Sequence, residues 1–202
     1  MGRASSGSGW REHLLLLGRF LRHPRSVGAI APSSRVLAHA MVHELNLDGP
    51  VRVVELGPGT GAFTRAIVDR LGPTAHYLAV DNDPVFVARL RERWPQVRCV
   101  CASAAALPAL AAEHGLAPVD RIISGLPFAS LPGAVTTEIL QGIERTLRPG
   151  GTFTTFQYVH AYGLPPAVAF RRDMTRRLGA MPTRRLVVWN IPPAYVLRWR
   201  RQ

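Results

Sequence analysis

Three glycines alternate in Val53-Val54-Glu55-Leu56-Gly57-Pro58-Gly59-Thr60-Gly61, directly after an apolar run. Glycine accepts positive φ and lets backbone pass close to a ligand, so the run reads as a strand entering a tight turn that opens a helix. The spacing is Gly-x-Gly-x-Gly, not the Gly-x-Gly-x-x-Gly of dinucleotide sites. Glu55 stands two residues before the first glycine. A carboxylate there suits a ligand carrying an ammonium or sulfonium better than a pyrophosphate. The next apolar run ends in Asp81-Asn82-Asp83, with Asp81 twenty residues after Gly61. A carboxylate at that strand end can accept both hydroxyls of a ribose. Further along, Ser124-Gly125-Leu126-Pro127-Phe128 follows a fourth apolar run, and Tyr158, His160 and Tyr162 follow a fifth. The last three alternate, so they share a face if that strand persists.

These residues need a scaffold that brings several strand ends to one edge. The pattern predicts strands at Val51–Glu55, His76–Val80, Val97–Ala102, Asp120–Ser124 and Thr152–Val159, then strand-like runs at Thr183–Trp189 and Tyr195–Trp199. Helical periodicity falls at Ala62–Leu71, Pro84–Trp94, a weaker stretch near Ala109–His114, Val135–Leu147 and Pro166–Leu178. Strand–helix alternation implies a parallel sheet with right-handed crossovers. The two last runs flank Ile191-Pro192-Pro193 and predict an antiparallel C-terminal strand. The expected fold class is α/β: a Rossmann-like, mostly parallel seven-stranded sheet preceded by N-terminal amphipathic helices. Residues 1–9 read as a tail, and 10–50 as two amphipathic helices (Trp10–His23 and Arg35–Leu45) joined by a loop with Ser33 or Ser34 as cap. Residues 51–202 read as the main domain.

All 25 basic residues are arginine, and the formal net charge is +12. The charge sits at the ends: +5 over residues 1–35, −1 over 36–162 and +8 over 163–202. Such ends attract polyanions, either nucleic acid or an anionic lipid surface. Cys99 and Cys101 sit two apart in a strand and read as buried thiols in a reducing compartment, with no metal site implied. No apolar run reaches the roughly 20 residues a spanning helix needs. The first helix puts Trp10, Leu14, Leu17 and Leu21 on one side and Arg11, Arg19 and Arg22 on the other. That arrangement suits a bilayer interface.

Over about Val51 to Val159 the chain resembles the class I S-adenosylmethionine (SAM)-dependent methyltransferases. Glu55, Gly57, Gly59 and Gly61 match their first motif, and Asp81 their acid after the second strand. The resemblance implies SAM as cofactor, S-adenosylhomocysteine as product and no metal. Asn82, Ser103, Ala104 and Leu126 then border the cofactor. Ser103 stands where the family often has an acid that holds the adenine amino group. The rRNA adenine dimethylases carry Asn-Leu-Pro-Tyr after the fourth strand. This chain has Gly125 in the asparagine place, which removes a side-chain acceptor for a nucleobase and leaves the backbone carbonyls of Gly125 and Leu126.

The string from His23 to Ser34, taken with Glu55–Thr64 and Ser124–Phe128, resembles the bacterial phospholipid N-methyltransferases. These convert phosphatidylethanolamine, through methylated intermediates, to phosphatidylcholine. The resemblance implies that the first helix (Trp10, Leu14, Leu17, Arg19, Leu21, Arg22) touches the membrane and that the loop carrying Ile30 and Ser33 borders the SAM pocket. It also implies an anionic membrane partner, no nucleic acid, and a place at the inner face of the bacterial cytoplasmic membrane. Aromatic faces suit a methylated ammonium, so Tyr158 and Phe128 are the expected cation–π partners, with Tyr162 beside them. His160 is a proton-acceptor candidate, because imidazole titrates near neutral pH. Arg25 and Arg171 are candidates for the lipid phosphate. The competing reading is an rRNA adenine N6-dimethylase-like enzyme.

Overall fold

The computed structural model describes residues 33–202. Trp10, Leu14, Leu17, Arg19, Leu21, Arg22, Arg25 and Ile30 lie outside the described residues. The seven strands are β1 (Arg52–Leu56), β2 (His76–Asp81), β3 (Arg98–Cys101), β4 (Val119–Ser124), β5 (Leu147–Tyr158), β6 (Thr183–Val187) and β7 (Ala194–Arg200). They form one sheet in the order β3-β2-β1-β4-β5-β7-β6. Strands β1 to β5 pair in parallel, and β7 runs antiparallel to both β5 and β6. β7 alone is therefore reversed, and β6 runs with the parallel set. The carboxyl ends of six strands share one edge. The Rossmann-like expectation, with its antiparallel C-terminal strand, holds.

The helices are α1 (Ser33–Val42), α2 (Ala62–Val68), α3 (Pro84–Arg93), α4 (Leu107–Glu113), α5 (Gly133–Thr146) and α6 (Pro165–Leu178). Local chemistry sets their ends. Asp83 caps α3 by accepting from the Val85 N–H at 2.8 Å, and Pro84 fills the first position, where no N–H is needed. α6 stops at Gly179, whose φ of 70° closes the helix.

The core lies on both faces of the sheet. On one face Leu37, Met41 and Val42 of α1 pack with Val53, Phe63, Ile67 and Val196. On the other, Leu140, Ile143, Phe170 and Met174 pack with Val54, Leu78, Phe153 and Trp199. Each fully buried side chain of this size contributes about 1.5–3 kcal/mol. α1 thus packs on α2 and covers β5, β7 and β6 on this face.

Three expectations change. β5 begins at Leu147 instead of Thr152, so Arg148-Pro149-Gly150 lies inside the strand. β6 ends at Val187, two residues before Trp189. Cys101 is exposed while Cys99 is buried, because β3 is the sheet's edge strand and Cys101 its last residue. Burial pushes the Cys99 thiol up to about 11, which keeps it protonated and inert.

Candidate active site

Three strand ends are clipped together at the carboxyl edge. The Gly57 N–H donates to the Val80 carbonyl at 2.9 Å, and the Gly125 N–H to the Leu56 carbonyl at 2.8 Å. Between them the chain turns through Gly57, Gly59 and Gly61, with φ of 69°, 54° and 82°. No other residue type adopts three such conformations in succession without strain. Space is as restrictive as dihedral angle. A Cβ on Gly57 would lie 2.6 Å from Leu126 Cδ2, and one on Gly61 would lie 2.6 Å from the Trp94 ring. A Cβ on Gly59 would meet nothing within 4 Å. The outer two glycines are packed against protein, and the middle one presents bare backbone to open space.

Asp81 holds this turn. Its Oδ2 accepts from the Gly59 N–H and its Oδ1 from the Asp83 N–H, both at 2.9 Å. Each oxygen keeps a second lone pair for a ribose hydroxyl. Burial raises the Asp81 pKa, and the two backbone donors pull it back.

Glu55 lies beneath the turn, fully buried at 0% exposure. Its Oε2 accepts from Thr64 Oγ at 2.8 Å and from the Tyr77 hydroxyl, while Oε1 is buried with no partner among the described residues. Burial pushes its pKa up to about 7. A cationic group bound over the turn would give Oε1 its counterpart. The bare backbone at Gly59, the orphaned Oε1 and the Asp81 carboxylate together fit the amino-acid and ribose parts of SAM. Ser103 is spoken for in part: its hydroxyl accepts from the Ala105 N–H at 3.2 Å and caps a 3₁₀ turn over Ala104–Ala106. Asn82 follows Asp81, and Ser33 is the first residue of α1.

Gly125 follows β4 and abuts the turn: a Cβ there would sit 2.6 Å from the Gly57 carbonyl oxygen. The missing asparagine therefore has a steric cause. Leu126 donates its N–H to Ser124 Oγ at 3.2 Å, and its carbonyl accepts from the Phe128 N–H at 3.0 Å.

The aromatic expectations divide. Phe128 is 5% exposed, stacked on Phe170 at 4.5 Å and edge-on to Phe153 at 6.2 Å. It is a core residue, and its face is not open to a methylated ammonium. Tyr158 ends β5 half-buried, and its ring stacks on His160 with centroids 5.6 Å apart. Burial raises the Tyr158 pKa, so the phenol stays neutral. The strand does not persist past Tyr158; Val159–Ala161 form a 3₁₀ turn. Tyr162 consequently points elsewhere. It packs on Tyr195 at 4.7 Å, with the Arg171 guanidinium 3.6 Å from its ring centre. Arg171 Nη1 also donates to Gln157 Oε1 at 2.6 Å and to the Tyr162 carbonyl at 2.8 Å. That guanidinium serves as an internal strut tying β5 to α6.

Residue-by-residue reading missed Tyr77 and Thr64, the partners of Glu55, and Trp94, the floor under Gly61. A tyrosine on the strand beside a buried acid was the available signal for Tyr77. Nothing in the sequence marks Trp94.

A strand–Gly-x-Gly-x-Gly–helix turn, an acid ending β2 and this sheet order define a Rossmann-like methyltransferase. Residues 53–151 match the family described as a methyltransferase domain. The chain is 32% identical over 146 residues to an ornithine lipid N-methyltransferase of Singulisphaera acidiphila, covering 71% of this chain and 76% of that protein. It is 37% identical over 93 residues to ribosomal RNA small subunit methyltransferase A of Thiobacillus denitrificans, covering 46% of this chain but 34% of that protein. In fold it is similar to the 1,6-didemethyltoxoflavin-N1-methyltransferase of Burkholderia thailandensis, crystallised with S-adenosylhomocysteine (TM-score 0.70, 18% identity, 100% of this chain and 93% of that chain). It is likewise similar to the N-methyltransferase NodS of Bradyrhizobium japonicum in complex with the same product (TM-score 0.66, 16% identity, 94% and 98%). The chain belongs to the class I SAM-dependent methyltransferases. Its cofactor is SAM and its spent product S-adenosylhomocysteine.

Proposed function

We propose that this enzyme methylates the amine of a membrane lipid, with phosphatidylethanolamine and its methylated derivatives as acceptors, toward phosphatidylcholine. The observation that carries this reading is the similarity to the ornithine lipid N-methyltransferase, which runs through 76% of that protein. The acceptor edge supports it. Gly125 offers carbonyl oxygen and no side-chain amide, which suits an aliphatic ammonium better than a nucleobase edge.

When bound, SAM supplies an electrophilic methyl on a sulfonium. The chain's own contribution is positioning. Asp81 and the backbone at Gly59 fix the ribose and amino-acid ends. The Gly125 carbonyl holds an N–H of the acceptor. The Tyr158 face lies beside a developing quaternary ammonium, where its neutral ring lowers the cost of the charge. His160, exposed and stacked on Tyr158, takes the proton that the acceptor ammonium must lose. Arg25 remains a candidate for the lipid phosphate. The segment from Trp10 to Arg22 is proposed to touch the inner face of the bacterial cytoplasmic membrane. No helix among the described residues is long and apolar enough to cross a membrane.

A second reading, methylation of rRNA adenine, is favoured by the identity with ribosomal RNA small subunit methyltransferase A. That similarity spans only about a third of the relative. Incubation of the protein and SAM with mixed vesicles or with structured RNA separates the two. The lipid reading requires methylated ethanolamine lipid in the vesicle arm. Methylated adenosine in RNA digests, with no lipid product, would replace it with the second reading.

A further inference from the structure

We infer that the β6–β7 turn, with Trp189 at its tip, is a membrane-docking surface that seats the carboxyl edge of the sheet on an anionic bilayer. Trp189 is 79% exposed and Ile191 62% exposed, on a turn where a soluble surface would carry polar residues. Exposed Val188 adjoins them. Because β6 runs with the parallel strands, this turn lies at the same edge as the glycine turn. β7 joins it to the acceptor side: Ala194 pairs with Tyr158, and the Val159 N–H donates to the Pro193 carbonyl at 2.9 Å. Exposed Val159 and Leu164 continue the apolar rim past Tyr158. On the other side, Val36 of α1 and Val188 and Trp189 line one groove of about 250 Å³. The apolar rim thus borders the place where the acceptor amine is proposed to enter.

Charge identifies the occupant. Residues 158–200 hold eight arginines and one acid, Asp173, which is paired with Arg176 and Arg177. Of the eight, Arg171 is taken up inside the fold and Arg198 and Arg200 end the reversed β7 at the other edge, so Arg184 and Arg185 carry the charge beside the tip. Exposed Arg184 and Arg185 open β6; Arg185 lines the groove with Val188 and Trp189, and the Arg184 guanidinium lies 4.9 Å from the Tyr195 ring, next to Ala194. An aromatic and two aliphatics at a tip, backed by arginine and without a free carboxylate nearby, is the composition of an interfacial anchor. Arginine near an anionic leaflet adds electrostatic attraction. A protein partner would be met by an apolar patch with mixed charge around it. Glu44, which lines a groove with Arg184 and Arg185, is paired with Arg198 at 3.4 Å, so the balance beside the tip is positive. The surface draws only on residues between 36 and 191 and uses none of Trp10 to Arg22. Its purpose rests on the lipid reading above: a headgroup in the leaflet would meet Tyr158 without leaving the membrane.

The test uses the full chain and vesicles of phosphatidylethanolamine with phosphatidylglycerol. The double variant Trp189→Asp/Ile191→Asp is compared with Met181→Asp. Met181 is equally exposed at 79% but precedes β6, at the opposite edge. All three positions are exposed, so thermal melts should match the parent. The double variant should lower vesicle partition by about tenfold or more, as losing about 1.4 kcal/mol requires, and Met181→Asp should leave it unchanged. Unchanged partition of the double variant, or an equal loss with Met181→Asp, overturns the proposal. A shift in oligomeric state with vesicle binding intact also overturns it and makes the tip a protein interface. Product analysis in the same tubes keeps the two readings apart. Vesicle binding that depends on Trp189, without any methylated lipid, supports the docking surface while removing the lipid substrate.

Discussion

Glu55 should make this protein less stable as pH rises through neutrality. Its carboxyl is fully buried, and burial lifts its pKa from 4.5 to about 7. Below the lower value the group is protonated in both folded and unfolded chains and contributes no pH dependence. Between the two values the unfolded chain loses the proton and the folded chain keeps it. The folded state then binds more protons, so stability falls as pH rises, and the loss is complete above about 7. At about 1.36 kcal/mol per unit, the full loss is about 3 kcal/mol. Glu55→Gln keeps the shape and removes the titration. All other ionisable groups are common to both proteins and cancel in the comparison. Urea unfolding of both, without SAM, at about pH 5 and about pH 8 should show the variant gaining about 2–3 kcal/mol relative to wild type over that interval. A wild-type-minus-variant difference that stays flat would refute the buried, proton-holding Glu55 and with it the account of the turn's underside.

Asp81→Ala removes the acceptor of the Gly59 and Asp83 N–H groups, so SAM affinity should fall by about tenfold or more; calorimetry with unchanged affinity would take Asp81 out of the site. Gly125→Asn forces a side chain to within 2.6 Å of the Gly57 carbonyl oxygen. It should cost about 1–3 kcal/mol of stability and weaken SAM binding together, as read from thermal melts with and without SAM. Phe128→Ala opens the core beside Phe153 and Phe170, at a cost of about 3–5 kcal/mol in urea unfolding; a loss confined to acceptor turnover would return Phe128 to the acceptor site.

What could be read from the sequence was what local backbone demands. Gly57, Gly59 and Gly61 announce a turn because glycine adopts positive φ at no steric cost, and other residues do so rarely. Asp81 follows from the period of strand and helix. The reversed β7 was legible because two β-rich runs surround a proline pair. Residues whose fate depends on distant partners were not legible. Phe128 looks like an acceptor-site aromatic until Phe170, forty-two positions later, covers its face. Tyr162 fits the alternation of Tyr158 and His160 until the chain leaves the strand and Tyr195 takes its ring. Arg171 reads as a free cation, and only the fold supplies Gln157 to bind it. Cys101 was misplaced because the sequence does not say which strand lies at the edge.

SAM is expected over Gly59, beside Asp81, at the carboxyl edge of the sheet. A crystal of this protein grown with S-adenosylhomocysteine tests it most directly. The account predicts density for the ribose against Asp81 and for the amino group over the glycine turn within reach of Glu55. Well-measured density showing protein side chains over Gly59, or the ligand bound elsewhere, would contradict it.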